Sequence, residues 1–370
     1  MKRPRRWLAP WRNSGTKPAI YHALNRIVDR QMVCGPDERE KFRTFMRMYE
    51  NFSGCRVLSY CVMSNHFHIL LEVPPMPGGG LSEAEFRRRL GALYKPERVR
   101  EIVREIQAFR EAGHDAAAAE AVARYTCRMH DLSEFMKGLL IRFTRWFNRT
   151  HNRKGTLWEE RFKSVIVESG AAARTMAAYI DLNPVRAGMV SDPADYRWSS
   201  YGEATGGGKK AREGLVRAFR SAEGVGFETG YWPEVSREYR SWMSMALERK
   251  PGRFKDTKDV KERSATEEAK VRASERKETG GPSEKPGAGR KDRRALESEL
   301  SMARMLARRV RYFSDGAVIG GREFVDEVFR ASRERFGPRR KSGARKMRGA
   351  GAAAAGRLWS MRDLRKDIGG

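Results

Sequence analysis

Two histidines one residue apart are the first side chains in this sequence that can do chemistry. They lie in residues 64–73, where apolar and polar residues alternate as in a β-strand. Successive strand side chains point to opposite faces, so His66 and His68 share one face and Phe67 lies on the other, with the core. Two imidazoles at this spacing form a ready pair of metal ligands. Two half-exposed histidines on an edge strand would give the same pattern, so the motif alone leaves both interpretations open.

A tyrosine further along the chain is the second candidate. Residues 171–182 predict a helix that holds Tyr179, and residues four apart on a helix share a face, which adds Asn183. If this face covers the histidine face of the sheet, a phenol, two imidazoles and a carboxamide oxygen converge. The imidazoles and the amide, with water and phosphate oxygens, can hold Mg²⁺ or Mn²⁺. The metal would polarise a phosphodiester while tyrosine attacks phosphorus, leaving a phosphotyrosine. The alternative is a tyrosine packed against the sheet.

Charge limits the class of partner. The 370 residues include 75 Lys and Arg against 47 Asp and Glu, a net charge of +28. This excess predicts a polyanionic partner, most commonly nucleic acid. A membrane surface is the rival polyanion, but the sequence has no apolar run of transmembrane length and no signal-peptide segment. The four cysteines form no C-x-x-C pair, which favours free thiols and a cytoplasmic protein.

The order of the predicted elements indicates the fold. A strand at 19–25, a helix at 37–51, a hairpin of 56–63 and 66–73, a helix at 131–149, a strand within 155–167 and the Tyr179 helix follow one another. This order is typical of an α+β, ferredoxin-like sandwich, an antiparallel sheet with helices on one face.

Composition divides the rest of the chain. We predict a basic N-terminal arm at 1–16, a catalytic domain at 17–205 with a helical insertion at 81–130, a helical extension at 206–247, a disordered charged linker at 248–294, a helical pair at 295–337 that can be a helix-turn-helix, and a basic tail at 338–370. The C-terminal third is expected to act as a tethered second DNA contact that raises affinity without setting cleavage chemistry.

Five motifs in order resemble those of the single-tyrosine HUH transposases, and most of all their REP-associated branch. They are Tyr21-His22 and the segments 63–68, 155–163, 179–187 and 196–201. The resemblance implies a ferredoxin-like fold and metal-dependent cleavage and rejoining of single-stranded DNA beside a hairpin. It implies His66 and His68 as metal ligands, Asn183 as a third ligand and Tyr179 as nucleophile. The chain departs from the family at Arg26-Ile27, where members often carry Arg-Gly.

Basic and aromatic side chains are expected to form a DNA channel that flanks Tyr179. Cations would neutralise phosphates, and Trp158, with Trp146 and Trp198, would stack on bases. The expected contacts are Arg142, Arg145, Arg149, Arg153, Lys154, Trp158, Arg161, Lys163, Arg186 and Arg197. Each taken singly also fits a solvated surface or a packing contact.

The sequence is compatible with three functions. The first is a transposase that nicks and joins single-stranded DNA. The second is a catalytically silent binder of hairpin DNA or structured RNA, and the third is a nickase serving plasmid or phage replication. The sequence leaves open whether the protein acts as a monomer or a homodimer.

Overall fold

The structure is a computed structural model. It describes residues 6–12, 14–15, 17–220, 231–247, 306, 311–347 and 358–362, and the predicted linker at 248–294 lies outside these residues. None of the helices in these residues has both the length and the hydrophobicity that spanning a bilayer requires.

Seven elements position the candidate site. They are β1 (Ala19–Arg26), α1 (Pro36–Ser53), β2 (Arg56–Val62), β3 (His66–Val73), α5 (Leu132–Thr150), β4 (Lys163–Val167) and α6 (Ala171–Asp181). The predicted capping of α5 is present, because the Asp131 carboxylate accepts a hydrogen bond from the backbone N–H of Glu134 at 2.8 Å.

The other described helices and strands lie in the insertion and after α6. The insertion contributes α2 (Glu83–Gly91), α3 (Pro96–Glu111) and α4 (Asp115–Thr126), which share a small apolar cluster with Phe52 of α1. After α6 come α7 (Asn183–Arg186), α8 (Ser200–Thr205), α9 (Lys209–Arg220) and α10 (Trp232–Leu247). The C-terminal part adds α11 (Arg311–Asp315), β5 (Val318–Gly320), α12 (Arg322–Ala331), β6 (Arg345–Lys346) and β7 (Trp359–Ser360).

The first four strands have the order of a ferredoxin-like sheet. They lie as β2-β3-β1-β4, and each neighbouring pair is antiparallel. In the β1–β3 register, Leu24 faces His68 and Arg26 faces His66. The α+β, ferredoxin-like prediction is therefore confirmed.

Helices cover both faces of this sheet. Phe67 and Ile69 pack with Phe42 of α1 and Phe143 of α5 on one face, as a ferredoxin-like sandwich requires. The opposite face, which carries the histidines, is covered by α6 and α9. A single helical layer was the expectation, and the second layer arises because Leu70 and its neighbours on the histidine face are also apolar and need burial.

Gly138 permits the close contact between α5 and α1. A glycine inside a helix costs about 1 kcal/mol relative to alanine, so its presence calls for a reason. A Cβ at this position would lie 2.2 Å from Cε1 of Tyr49 on α1. The glycine thus makes room for the Tyr49 ring.

Phe67→Ala is expected to destabilise the protein without removing a functional group. The ring is 1% exposed and contacts the Phe42 ring at 4.8 Å and the Trp158 ring at 5.5 Å. Truncating a buried phenylalanine costs about 3–5 kcal/mol through lost burial and the cavity left behind. Urea unfolding measures the loss. Ile141→Ala, at a side chain 44% exposed on α5, should change the unfolding free energy by less than about 0.5 kcal/mol. Equal effects of the two variants would contradict the assignment of the core face.

The C-terminal part differs from the expected helical pair. A strand, β5, separates α11 from α12 and pairs in parallel with β4 through Ile166–Val318 and Val167–Ile319. β7 and β6 then extend the sheet to seven strands within the described residues. Within the described residues 311–337, a sheet strand therefore stands where the turn of a helical pair was expected. Three strand residues are too few to show a period in the sequence, which is why the strand was missed.

Candidate functional site

Three predicted site residues meet on one face of the sheet. The rings of His66 and His68 have centroids 5.1 Å apart, and the Tyr179 ring centroid lies 6.2 Å from that of His68. β3 supplies the histidines by its alternation, and α6 lies across the strands and supplies the tyrosine. The expected convergence of imidazoles and phenol is present.

The orientation of His66 is fixed by its sequence neighbour. The Asn65 amide nitrogen donates to the Arg30 carbonyl at 3.0 Å, which leaves its Oδ1 facing His66 Nδ1 at 2.6 Å. An amide oxygen only accepts, so Nδ1 of His66 donates. In the neutral ring, Nε2 then carries the lone pair that a metal requires.

His22 on β1 completes the histidine cluster. Its Nε2 lies 2.9 Å from His68 Nδ1, and its Nδ1 lies 2.7 Å from the backbone oxygen of Phe313. The two rings are stacked with centroids 5.1 Å apart. Burial lowers the pKa of His22 to about 4 and the pKa of His68 well below its usual range, with a further contribution from His66. Both rings are therefore neutral at pH 7. The sequence indicated no separate role for His22, although its place in a motif was the available signal.

Tyr179 is buried between the sheet and the C-terminal part. The residue is 2% exposed, and the Phe313 ring of α11 lies edge-on at 4.8 Å. The Arg186 guanidinium carbon lies 4.3 Å from the Tyr179 ring centroid, and the same guanidinium donates to the carbonyls of Leu306 at 2.8 Å and Tyr179 at 2.5 Å. Arg186, expected to contact DNA, is instead held against the tyrosine by these contacts.

Asn183 lies beyond the end of the helix that carries Tyr179. α6 ends at Asp181, and Asn183 begins the short helix α7. Its amide nitrogen donates to the carbonyls of Tyr179 and Ile180, each at 3.2 Å. These bonds engage the amide nitrogen and tie the side chain to the end of α6.

The donor set fits a divalent metal in part. Among the described residues, no three His, Cys, Asp or Glu side chains are grouped so that they could hold an ion. His22 does not supply a further ligand, since both its nitrogens are engaged by His68 and Phe313. His66 and His68 would hold the metal through Nε2, and oxygen atoms of Asn183, water and phosphate would complete its shell.

The expected arginines of α5 lie away from the tyrosine. Arg142, Arg145 and Arg149 line a groove of about 790 Å³ on the outer surface of α1 and α5, together with Lys41 and Trp146. These helices cover the sheet face opposite α6, so this groove and Tyr179 lie on opposite sides of the sheet. The α5 arginines therefore do not flank Tyr179, contrary to the prediction of a single channel around the tyrosine that includes them.

A second groove lies between the N-terminal arm, the segment around β4 and the C-terminal part. Arg161 and Lys163 line it with Arg6 of the N-terminal arm and with Arg335 and Arg362 of the C-terminal part, and its volume is about 1130 Å³. Ser314, the residue after Phe313, also lines it. This groove brings together cations from three distant parts of the chain, and Asp315, which also lines it, lies 3.8 Å from Lys163.

The remaining residues that were expected to contact DNA differ in how they are packed. Trp158 packs its ring against Phe67 and Phe143, and its indole N–H donates to Thr144 at 2.9 Å, so packing is its main role. Arg153 and Lys154 lie in the loop after α5, where Arg153 bonds Asn148. The exposed Arg197 lies 3.4 Å from Glu40 and 5.4 Å from the Trp198 ring centroid.

Asp181 anchors the helix that carries Tyr179. This fully buried carboxylate accepts hydrogen bonds from Tyr239 Oη at 2.6 Å, from the Tyr201 backbone N–H at 3.0 Å and from Ser59 Oγ at 3.4 Å. The bonds join α6 to β2, α8 and α10. Burial outweighs these bonds and raises the pKa of Asp181 to about 7.

Asp181→Asn is expected to change the pH dependence of stability. Because the folded pKa lies above the value near 3.9 of an unfolded aspartate, the folded protein binds the extra proton between the two. This contribution to stability is present below about pH 4 and is lost as the pH rises to 7, by a few kcal/mol as an order of magnitude. Urea unfolding from pH 4.5 to 8 should show a slope removed by Asp181→Asn and unchanged by Asp29→Asn, at an exposed site. Parallel curves for all three proteins would contradict the assignment.

Comparison with known proteins supports the resemblance for part of the chain. Residues 16–78 match the family model described as "Transposase IS200 like". This segment contains β1 to β3 and both histidines of the motif, and it ends before α6. The resemblance to transposases predicted from the sequence is confirmed for this segment.

A solved structure that is similar to this chain is the "Structure of the REP associates tyrosine transposase bound to a REP hairpin". The identity is 12%, the TM-score is 0.35, and the match covers 56% of this chain and 87% of the other. Among curated proteins, none matches the chain significantly.

Proposed function

We propose that this protein is a transposase that cleaves and rejoins single-stranded DNA beside a hairpin, through a 5′-phosphotyrosine intermediate and with Mg²⁺ or Mn²⁺. The observation that carries the proposal is the placement of Tyr179 against His68, with His66 on the same face of the sheet. The family match over residues 16–78 supports the transposase class. The cytoplasm, where DNA is accessible to such an enzyme, is the proposed location.

The chemistry is a transesterification in which Tyr179 is the nucleophile. The phenol gives up its proton as its oxygen forms a bond to the phosphorus, and the bond from phosphorus to the 3′ oxygen breaks. The leaving 3′ oxygen takes up a proton to become a hydroxyl, so no proton is gained or lost overall. A divalent ion on His66 and His68 would supply Lewis-acid activation of the phosphate. The Arg186 guanidinium carbon lies 4.3 Å from the ring centroid, and this positive charge near the phenol favours its ionised form.

The tyrosine needs partial uncovering before it meets DNA. It is 2% exposed, and Phe313 is one of the side chains that cover it. A strand lying in the groove of Arg161 and Lys163 would reach this cover at Ser314. We therefore assign this groove to the cleaved single strand and the α1/α5 groove to the backbone of the adjoining hairpin.

Arg142→Ala and Arg145→Ala are expected to weaken DNA binding without altering cleavage at saturating DNA. Both cations line the α1/α5 groove on the face opposite Tyr179. Removing one phosphate contact lowers affinity for all sequences alike and reduces the slope of log affinity against log salt by about 1. Fluorescence anisotropy with a hairpin oligonucleotide at several salt concentrations measures both quantities. Arg98→Ala, on the exposed surface of α3, is the control and should leave the slope unchanged.

Incubation of the protein with single-stranded DNA that flanks a hairpin tests the proposed activity. With Mg²⁺ we expect a covalent protein–DNA adduct on a denaturing gel and a free 3′-OH product, and with EDTA neither. Binding without an adduct under any metal would support the alternative, a catalytically silent binder of hairpin DNA or structured RNA. The close placement of the tyrosine and the histidines favours the enzyme, because silent binding requires none of these groups.

A further inference from the structure

His22 and the backbone carbonyl of Phe313 form a hydrogen-bonded chain that ends at His68. Phe313 lies in α11, far along the sequence from β1 and β3. Its oxygen lies 2.7 Å from His22 Nδ1, and His22 Nε2 lies 2.9 Å from His68 Nδ1. Both links are within hydrogen-bond range and are fully buried.

The Phe313 carbonyl determines which atom donates in each of the two hydrogen bonds. A carbonyl oxygen only accepts, so His22 Nδ1 carries a hydrogen. In the neutral ring, His22 Nε2 then has a lone pair and accepts from His68 Nδ1. Both rings are buried, His22 completely and His68 to within 5%, and an extra proton on the pair would be a buried charge. The second link therefore runs from His68 to His22, which leaves the lone pair of His68 on Nε2.

His66 has the same tautomer, with its hydrogen on Nδ1, but a different hydrogen bond fixes it. Its Nδ1 is held by Asn65 Oδ1, whose orientation the Arg30 carbonyl fixes. The two histidines of the motif are thus oriented by different groups. Asn65, the sequence neighbour, holds Nδ1 of His66, whereas His22, itself held by Phe313 of the C-terminal part, holds Nδ1 of His68. Metal-ligating histidines are commonly oriented in this way, by a hydrogen bond from the nitrogen that does not bind the metal.

We propose that His22, held by the Phe313 carbonyl, is a positioning residue that fixes the Nδ1–H tautomer and the ring orientation of His68 so that Nε2 can bind a divalent metal. The inference rests on the proposed function for the metal and goes beyond it in assigning a role to β1 and to α11. His22 contacts His68 and is not itself a ligand.

Nitrogen NMR of the full-length protein tests the tautomer directly. The metal-free protein labelled with ¹⁵N-histidine should show His68 protonated at Nδ1 and bare at Nε2 at pH 7.5. In His22→Leu, which fills the space but offers no acceptor, His68 should show a mixture of both tautomers. His22→Gln places an amide oxygen near the lost Nε2 and should restore the single tautomer.

Calorimetric titration with Mn²⁺ gives a second readout that is separate from activity. His22→Leu should lower the affinity by about 10–100-fold, as expected for loss of a residue that orients a ligand, and His22→Gln should recover most of it. His130→Asn is the matched control, because His130 also bonds a backbone carbonyl, that of Pro74, but in the insertion. It should leave the affinity unchanged.

The outcomes separate this proposal from the proposed function. His68 protonated at Nε2 in the parent protein, or Mn²⁺ affinity equal in the parent and His22→Leu, overturns it even if DNA is cleaved. A parent protein with the expected tautomer that binds no Mn²⁺ supports the positioning by His22 and contradicts the metal in the proposed function. If His22→Leu does not fold, the parent spectrum and the His22→Gln protein decide the matter.

Discussion

Tyr179→Phe is expected to abolish covalent adduct formation and leave DNA affinity nearly intact. The substitution keeps the ring that packs against His68 and Phe313 and removes the oxygen that would attack phosphorus. In other enzymes, loss of a covalent nucleophile has lowered kcat on the order of 10⁶-fold, so no adduct should be detectable. Denaturing gels measure the adduct, and fluorescence anisotropy with the same oligonucleotide measures binding.

Tyr125→Phe is a suitable control for this result. Tyr125 lies in α4 of the insertion, where its ring contacts Phe86 and Tyr94. This variant should form the adduct at the parental rate. An adduct formed equally well by Tyr179→Phe would mean that Tyr179 is not the nucleophile and that its burial against the sheet is purely structural.

His66→Ala and His68→Ala are each expected to remove metal-dependent cleavage. Each variant deletes one of the two imidazoles on the site face of β3, and no group of three His, Cys, Asp or Glu in the described residues offers a replacement site. Loss of a ligand should exceed the roughly 10–100-fold loss of metal affinity that accompanies loss of an orienting residue. Mn²⁺ titration and cleavage at several Mn²⁺ concentrations provide the measurement.

His114→Ala controls for the loss of a histidine as such. His114 is exposed in the insertion before α4 and should affect neither metal affinity nor cleavage. Full Mg²⁺-dependent cleavage by both His66→Ala and His68→Ala would remove the metal assignment. Because His68 is buried, its variant is compared only after circular dichroism shows that it is folded.

The sequence could predict the elements because they depend on local pattern. Alternation in β3 correctly separated Phe67 from the two histidines, and the Asp131 cap correctly marked the start of α5. The helical spacing of Tyr179 also gave the right face of α6. These features depend on residues two to four positions apart, so one sequence contains them fully.

Local pattern could not predict on which side of the sheet the basic residues of α5 lie. Periodicity shows that Arg142 and Arg145 point away from the apolar stripe of α5, but it does not show which face of the sheet α5 covers. The connection from β3 to β4 puts α5 beside α1, while α6 follows β4 and lies on the other face. The arginines of α5 therefore lie on the side of the sheet opposite Tyr179, away from the channel that was expected to flank it.

The link between the C-terminal part and the site could not be predicted from local pattern. Phe313 contributes a ring to the cover of Tyr179 and a carbonyl to His22, and neither role leaves a spacing signal. β5, three residues long, joins the sheet beside β4. These contacts place Phe313 of the C-terminal part against the candidate site.

Mass spectrometry of the protein–DNA adduct tests the central claim most directly. The parent protein would be incubated with single-stranded hairpin-flanking DNA and Mg²⁺, digested with nuclease and trypsin, and searched for tyrosines that carry a nucleotide. We expect one modified peptide, with the nucleotide joined through its 5′ phosphate to Tyr179. A nucleotide on another of the 11 tyrosines, or on Tyr179 through a 3′ phosphate, would contradict the proposed mechanism.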